Sequence, residues 1–136
     1  MFKKKLVAVL NKNIDVGKVM NALAHMSFGM GASLEDKEEA RLTNYRDAET
    51  DHRNISEIPF IVLQANSHKI RVCRKVAIER GIDFVDFTDM MTVGTFEEQL
   101  ERSAKTKEED LEYYGIVFFG DWEEVSELTR KFSLWK

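Results

Sequence analysis

Short apolar runs and longer amphipathic segments alternate along the chain. The first run, Leu6 to Leu10, stops at a polar loop that contains Asp15 and Gly17, and an apolar pattern with spacings of three and four residues begins at Lys18. An apolar run bounded by turn residues predicts a buried strand, and the longer pattern predicts a helix. The chain therefore opens with a strand, a loop and a helix.

The same alternation continues to the end of the chain. Further strands are predicted at Ile58–Leu63, Ile82–Phe87 and Tyr114–Phe119, with a short edge strand at Leu42–Tyr45. Helices are predicted at Ser67–Arg80, from Phe96 through Arg102 and around Trp122–Leu128. No segment resembles a linker, so we predict a single α/β domain over residues 1–136. It is a three-layer sandwich in which a mixed sheet of about four strands lies between helices.

The first helix has an unusually wide apolar surface. Val19, Ala22 and Met26 form one side of it, and Met20 and Phe28 widen that surface, together with Ala24. A helix that is apolar around much of its circumference is buried on more than one side. We therefore expect the sheet to cover one side of this helix and a neighbouring helix to cover the other.

Charge and cysteine content narrow the classes of function. Residues 1–75 carry 13 Lys/Arg and 9 Asp/Glu, whereas residues 76–136 carry 7 and 15, within a formal net charge of −4. Only a local patch would attract a polyanion, so the acidic half argues against tRNA as a partner. The single cysteine, Cys73, excludes an internal disulfide. With no Cys/His pattern of metal-binding type, we predict no metal, no cofactor and a reducing, cytoplasmic location.

The N-terminal basic residues precede an apolar run that is too short for a membrane anchor or a signal peptide. Those elements need about 20 and about 7–15 apolar residues, respectively. We therefore expect no membrane association. The apolar C-terminal segment, with Trp122, Phe132, Leu134 and Trp135, is expected to dock on a sheet edge or on a partner chain, since termini otherwise fray. A homodimer is the expected assembly.

Candidate functional residues lie where two strands end. Ligands of open α/β sheets bind beyond the carboxyl ends of strands. The loop after the first strand contains Asp15 and Gly17, and Lys18, Asn21 and His25 follow at spacings that place them on one helix face. Asp86 ends the third long apolar run. We predict that Lys18 and Asp86 lie on the same side of the sheet, within reach of a bridging water.

Each of these residues also has a purely structural interpretation. Asp15 is suited to capping the first helix and Asp86 to capping the turn after its strand. Lys18 is compatible with an ordinary surface position, and His25 with a half-buried position in which its ring is hydrogen-bonded. The basic strip on the second long helix is a solvated face or a contact for an acidic partner or RNA phosphate; it comprises Lys69, Arg71, Arg74 and Lys75.

The opening segment resembles that of type II peptidyl-tRNA hydrolases. The helix of that family begins Gly-Lys and has a histidine seven residues after the lysine, which Gly17, Lys18 and His25 match. The segments FVDFTD, YYGIVFFG and VSELTRKFSLW are similar to its second half, and Asp86 occupies the position of the aspartate that follows the third strand. The resemblance implies catalytic roles for Lys18 and Asp86. The glutamine that the family has four residues after the lysine is Ala22 here.

The chain more closely resembles a bacterial family of unknown function that shares the peptidyl-tRNA hydrolase II-like fold. Asn21, Gly29, Gly31, the Ile58–Pro59 strand entry and the Tyr-x-Gly strand carry this resemblance over nearly the whole chain. It implies that fold for the entire domain.

Three classes of function follow from these residues. The preferred one is binding of a small anionic or nucleotide-like ligand near Lys18 and Asp86, with Asp15, Gly17, Asn21 and His25 as ligand-binding residues. The first alternative is hydrolysis of peptidyl-tRNA or a related ester or amide, in which Lys18 stabilises the oxyanion and Asp86 activates water. The second alternative is a protein-interaction or dimerisation domain. Ala22 favours binding over hydrolysis, because one positioned donor is missing.

Overall fold

The computed structural model, which describes residues 2–136, has seven strands and four helices. The strands are β1 (Lys4–Asn11), β2 (Leu42–Arg46), β3 (Asp51–Ser56), β4 (Phe60–Ala65), β5 (Phe84–Thr88), β6 (Tyr113–Asp121) and β7 (Ser133–Leu134). The helices are α1 (Val16–Ser33), α2 (Ser67–Arg80), α3 (Phe96–Ala104) and α4 (Trp122–Thr129). Single turns of 3₁₀ helix cover Lys37–Ala40, Asp89–Met91 and Glu108–Asp110.

Local sequence explains where most helices begin and end. The Asn66 side chain caps α2 by accepting from the N–H of Lys69 at 2.9 Å, and Gly81 ends that helix with φ of 66°. Thr95 and Glu98 form a reciprocal capping box at the start of α3. Asp121 caps α4 through the N–H of Glu124 at 3.1 Å. These caps place the loops that precede each helix at fixed positions on the sheet.

The main sheet has five strands in the order β5-β6-β1-β4-β7. β1 and β4 are parallel, and the other neighbouring pairs are antiparallel. The sheet is therefore mixed, as predicted, but it has five strands rather than about four. Strands β1, β4 and β5 run in one direction, so their carboxyl ends lie at the same edge of the sheet as the first residue of β6.

β2 and β3 form a separate two-stranded antiparallel sheet. The predicted edge strand at Leu42–Tyr45 therefore exists, but it lies outside the main sheet. Its partner β3, Asp51–Ser56, is polar and exposed along almost its whole length. The hydrophobic pattern could not reveal β3, because a strand that buries neither face has no alternation of apolar and polar residues.

Two apolar layers enclose the main sheet. On one face α1 packs through Val19, Ala22 and Met26 against strand residues that include Leu10 and Val117. On the other face α2 and α4 pack through Ile70, Cys73, Ala77, Val125 and Leu128 against strand residues that include Val7, Val9, Ile116 and Phe118. Helices thus cover both faces, which gives the three layers.

The outer side of α1 is uncovered, contrary to the prediction. Phe28 is 82% exposed and Met20 is 61% exposed. The third helix packs mainly on the 3₁₀ turn that follows β5 and not on the outer side of α1. On this face α1 has only the sheet to pack against. The sheet-facing part of its wide apolar surface is therefore buried, and the outer part is exposed to solvent.

The C-terminal segment docks on the sheet edge, which confirms the first of its two predicted positions. β7 pairs with β4, and the N–H of Trp135 donates to the carbonyl of Val62 at 2.9 Å. This pairing covers the carboxyl-terminal half of an otherwise open strand. The homodimer stays a prediction. Within residues 2–136 no helix combines the length and the apolar character that crossing a membrane requires.

Candidate functional site

A cavity of about 560 Å³ opens between α1, the end of β5 and the loop that leads to α3. Four residues predicted from the sequence line it: Gly17, Lys18, Asn21 and His25. The remaining lining residues come from distant segments and are Phe87, Met91, Thr92, Val93, Gln99 and Tyr114. A second hollow of about 500 Å³ shares Asn21 and His25 and extends along α1 to Phe28.

The helical repeat explains why the polar residues of α1 meet in this cavity. Val19, Ala22 and Met26 are fully buried against the sheet. Lys18, Asn21 and His25 follow at spacings of three and four residues on the adjacent flank, and all three are exposed. The prediction that these three side chains share one helix face is confirmed.

Aromatic rings form the inner wall of the cavity. The rings of His25 and Phe87 have centroids 6.0 Å apart at an interplanar angle of 33°, and those of Phe87 and Tyr114 are 5.9 Å apart at 36°. Phe87 and Tyr114 are each only 8% exposed. No sequence pattern indicates their part in the site, because each also fits an apolar strand. Pairing of β5 with β6 brings the two rings together.

Asp86 does not belong to this cavity. Its carboxylate accepts from Nε of Arg74 on α2 at 2.8 Å, with 15% of the side chain exposed. The neighbouring residue Phe87 packs on the α1 side, and Asp86 faces the α2 side because successive strand residues point to opposite faces. The prediction that Lys18 and Asp86 lie on the same side of the sheet is therefore wrong.

Asp15 precedes α1 without capping it through its side chain. Its carbonyl accepts from the N–H groups of Lys18 at 3.0 Å and Val19 at 3.2 Å, whereas its carboxylate makes no capping hydrogen bond. The capping interpretation is therefore wrong for the side chain, and Asp15 is absent from the cavity lining. No acidic residue lies in the first turn of α1 itself, so Asp15 at the N-cap is the nearest acidic residue in the sequence to Lys18 at the positive end of the helix dipole.

Ala22 faces the sheet and not the cavity. It is completely buried in the layer between α1 and the strands. The neighbouring amide, Asn21, lines the cavity instead. A glutamine at position 22 would have to place its amide in an apolar layer, which carries a desolvation cost.

A network of ion pairs occupies the other face of the sheet. Glu108 accepts from Nε of Arg71 at 3.2 Å and from the hydroxyl of Tyr113 at 2.6 Å. The guanidinium groups of Arg71 and Arg74 also lie near the Tyr113 ring, at 5.4 and 6.0 Å from its centroid. Burial lowers the pKa of Arg74, but the hydrogen bond and charge of Asp86 more than offset this and keep the pKa raised. These groups pair with one another, so Asp86 acts here as a structural residue.

Within this network the hydrogen bond from Tyr113 is the main cause that lowers the pKa of Glu108, followed by the charge of Arg71. A carboxyl group with a lowered pKa stabilises the fold at neutral pH, and this contribution is lost as the pH falls through the lowered value. We expect Tyr113→Phe to raise the pKa of Glu108 toward its ordinary 4.5 and to flatten the loss of stability below that pH. Carboxyl titration by NMR and acid unfolding would measure both effects. An unchanged Glu108 pKa in the variant would contradict the assignment.

The described residues contain no cluster of three or more His, Cys, Asp or Glu side chains arranged to hold a metal ion. Burial raises the pKa of the Cys73 thiol to about 12, so this cysteine is a core residue without thiolate character.

The protein is a mixed α/β domain with a cavity, lined by polar and aromatic side chains, at the carboxyl end of β5. Residues 4–136 match the family described as "Protein of unknown function (DUF2000)", so the chain belongs to that family. Over 100% of both chains it is similar to the solved structure of the protein of unknown function Atu0240 from Agrobacterium tumefaciens strain C58, with 20% identity and a TM-score of 0.85. At that identity the likeness shows the fold alone. No curated protein matches the sequence.

These comparisons confirm the prediction of a family of unknown function. The peptidyl-tRNA hydrolase II-like fold stays a prediction, since neither comparison names it.

Proposed function

We propose that the domain binds a small nucleotide-like ligand, with a planar part and an anionic group, in the α1–β5 cavity. One observation carries this proposal: a lysine and four other polar side chains (Asn21, His25, Thr92 and Gln99) surround an aromatic wall in a single cavity of about 560 Å³. Pockets for small ligands commonly measure about 300–1,000 Å³ and combine apolar walls with a few polar groups.

The planar part of the ligand would contact Phe87 and Tyr114. Both residues line the cavity, and their rings are tilted by 36° with centroids 5.9 Å apart, a spacing typical of aromatic pairs. The side chains of Asn21 and Gln99 line the same cavity from α1 and α3. Each has amide donors and a carbonyl acceptor, although one N–H of Gln99 already donates to the carbonyl of Gly94 at 3.3 Å. Such groups can distinguish the hydrogen-bonding edges of planar heterocycles.

The anionic group would contact Lys18. This side chain is exposed and makes no ion pair among residues 2–136. It also lies in the first helical turn, where backbone N–H groups without intrahelical partners favour a negative charge. A phosphate there would pair with the Lys18 ammonium group and with these N–H groups.

The hydrolase alternative has less support. The cavity lining includes no carboxylate, and Asp86 is paired with Arg74 on the other face. The site therefore lacks the group that was expected to activate water. His25 is the one remaining candidate base in the lining, and its ring lies 6.0 Å from that of Phe87.

The proposal is tested by comparing the binding affinities of four nucleoside monophosphates with those of the uncharged nucleosides. The four are the monophosphates of adenosine, guanosine, cytidine and uridine. At least one monophosphate is expected to bind more tightly than its nucleoside and to shift NMR amide signals of residues 17–25. Lys18→Gln should weaken monophosphate binding by about tenfold, the usual worth of a charge-assisted contact, and leave nucleoside binding unchanged. Lys75→Gln, on α2, serves as the control. Failure of all four monophosphates to bind, or full affinity in Lys18→Gln, would overturn the proposal.

A further inference from the structure

A smaller cavity, of about 100 Å³, lies at the carboxyl ends of the parallel strands β1 and β4. The order of the strands places it near the opposite edge of the sheet from β5, whose end borders the larger cavity. Its polar lining comprises Lys12, Gln64, Asn66, Lys69, Lys131 and Ser133. None of these residues takes part in the cavity near Lys18.

Three lysines from separate segments converge on this cavity. Lys12 follows β1, Lys69 lies in the first turn of α2, and Lys131 lies between α4 and β7. Within residues 2–136 none of the three forms an ion pair, although the chain has more acidic than basic residues. No carboxylate lines the cavity. All three lysines are exposed, and the positive charge that they bring to this cavity without a counter-charge favours an anion there.

The other polar groups of the lining include free hydrogen-bond donors. The side-chain oxygen of Asn66 already accepts from the N–H of Lys69 at 2.9 Å, which leaves the amide nitrogen of Asn66 as a free donor. The side chains of Gln64 and Ser133 face each other across the β4–β7 pair. The backbone N–H of Lys12 donates to the carbonyl of Ala65 at 3.0 Å and ties the loop after β1 to the end of β4. The cavity is therefore held between ordered backbone segments.

We propose that this cavity binds a phosphate group, either as inorganic phosphate or as the terminal phosphomonoester of a larger molecule. A volume of about 100 Å³ accepts one tetrahedral oxyanion, and it is less than a fifth of the cavity near Lys18, so a nucleoside does not fit inside. Lysine is a common phosphate ligand that acts as a point charge. Amide and hydroxyl donors complete the coordination of the oxyanion.

NMR titration at constant ionic strength tests this site with inorganic phosphate and with glycerol 3-phosphate. Phosphate is expected to shift the amide signals of residues 12–13 and 66–69 in a saturable way. Tighter binding of glycerol 3-phosphate would assign the site to phosphomonoesters, and tighter binding of inorganic phosphate would assign it to the free ion. Chloride at the same ionic strength should leave these signals unchanged.

Matched lysine variants separate this site from the cavity near Lys18. Lys12→Gln and Lys131→Gln are each expected to weaken phosphate binding by about tenfold, which is about 1.4 kcal/mol. Lys18→Gln should leave the phosphate-induced shifts of residues 12–13 and 66–69 unchanged, whatever its effect on binding in the larger cavity. Without phosphate, thermal unfolding of the two variants should occur at or above the temperature of the parent chain, since a repulsion has been removed.

Three outcomes would overturn this proposal. They are equal shifts with chloride, shifts confined to residues 17–25, and unchanged phosphate affinity in both variants. Because the proposal concerns a different cavity, failure of nucleotide binding near Lys18 does not affect it.

Discussion

Gly115→Val is expected to lower the free energy of unfolding by about 2–3 kcal/mol, because the site is already filled. A Cβ atom at position 115 would lie 2.9 Å from both Leu10 Cδ2 and Met26 Cε, and 3.3 Å from the carbonyl oxygen of Val9. The two side-chain tips can move, but the carbonyl belongs to the β1–β6 ladder and cannot. Chemical denaturation of the variant would measure the loss.

The same substitution should also disturb the candidate site. Gly115 is paired with Leu10 on one side and Phe87 on the other, so a bulkier residue pushes α1 away from the aromatic wall. Gly29→Ala is the matched control, because a Cβ there meets nothing within 4 Å in the middle of α1. That control should be stabilising by about 0.5–1 kcal/mol. Equal stability of Gly115→Val and the parent chain would contradict the close approach of α1 to β6.

Arg74→Met is expected to cost about 2 kcal/mol, since it leaves the half-buried carboxylate of Asp86 without its charged partner. Asp86→Asn should be destabilising for the reciprocal reason. The double variant should lose less than the sum of the single losses, because both changes remove the same contact. Urea unfolding of the four proteins would give the coupling energy.

Arg80→Met provides a control on the same helix. Arg80 and Glu127 are 3.6 Å apart, and both side chains are well exposed, so this pair should contribute less than about 1 kcal/mol. Asp86→Asn should also leave nucleotide binding near Lys18 unchanged. A loss of ligand binding in Asp86→Asn, with stability intact, would restore the shared site that the geometry argues against.

The sequence predicted the parts of the site that depend on local periodicity. Lys18, Asn21 and His25 share a face because an α-helix repeats every 3.6 residues, whatever surrounds it. The four apolar strands and the four helices could likewise be read from runs and spacings, since each carries apolar residues at a regular repeat, although α3 buries none of its own. The β3 strand escaped detection because its side chains bury almost nothing.

Asp86 shows the limit of what local sequence can predict about the site. Alternation along β5 required Asp86 and Phe87 to point to opposite faces, and this was available from the sequence. Which of the two faces receives α1 depends on how the chain crosses over the sheet, and the helix packed on Phe87. The cavity is therefore lined by the ring of Phe87 and not by the predicted carboxylate of Asp86.

The sequence by itself determined the class of fold, the four apolar strands, the four helices and the polar face of α1, because these follow from the repeat of residues a few positions apart. Only the tertiary structure decided which cavity that face lines and that Phe87 and Tyr114 form the cavity wall. It also decided that Lys12, Lys69 and Lys131 line a second cavity near the opposite edge of the sheet. The physical reason is that strand order and crossover direction bring together residues many positions apart, and no local repeat encodes those contacts.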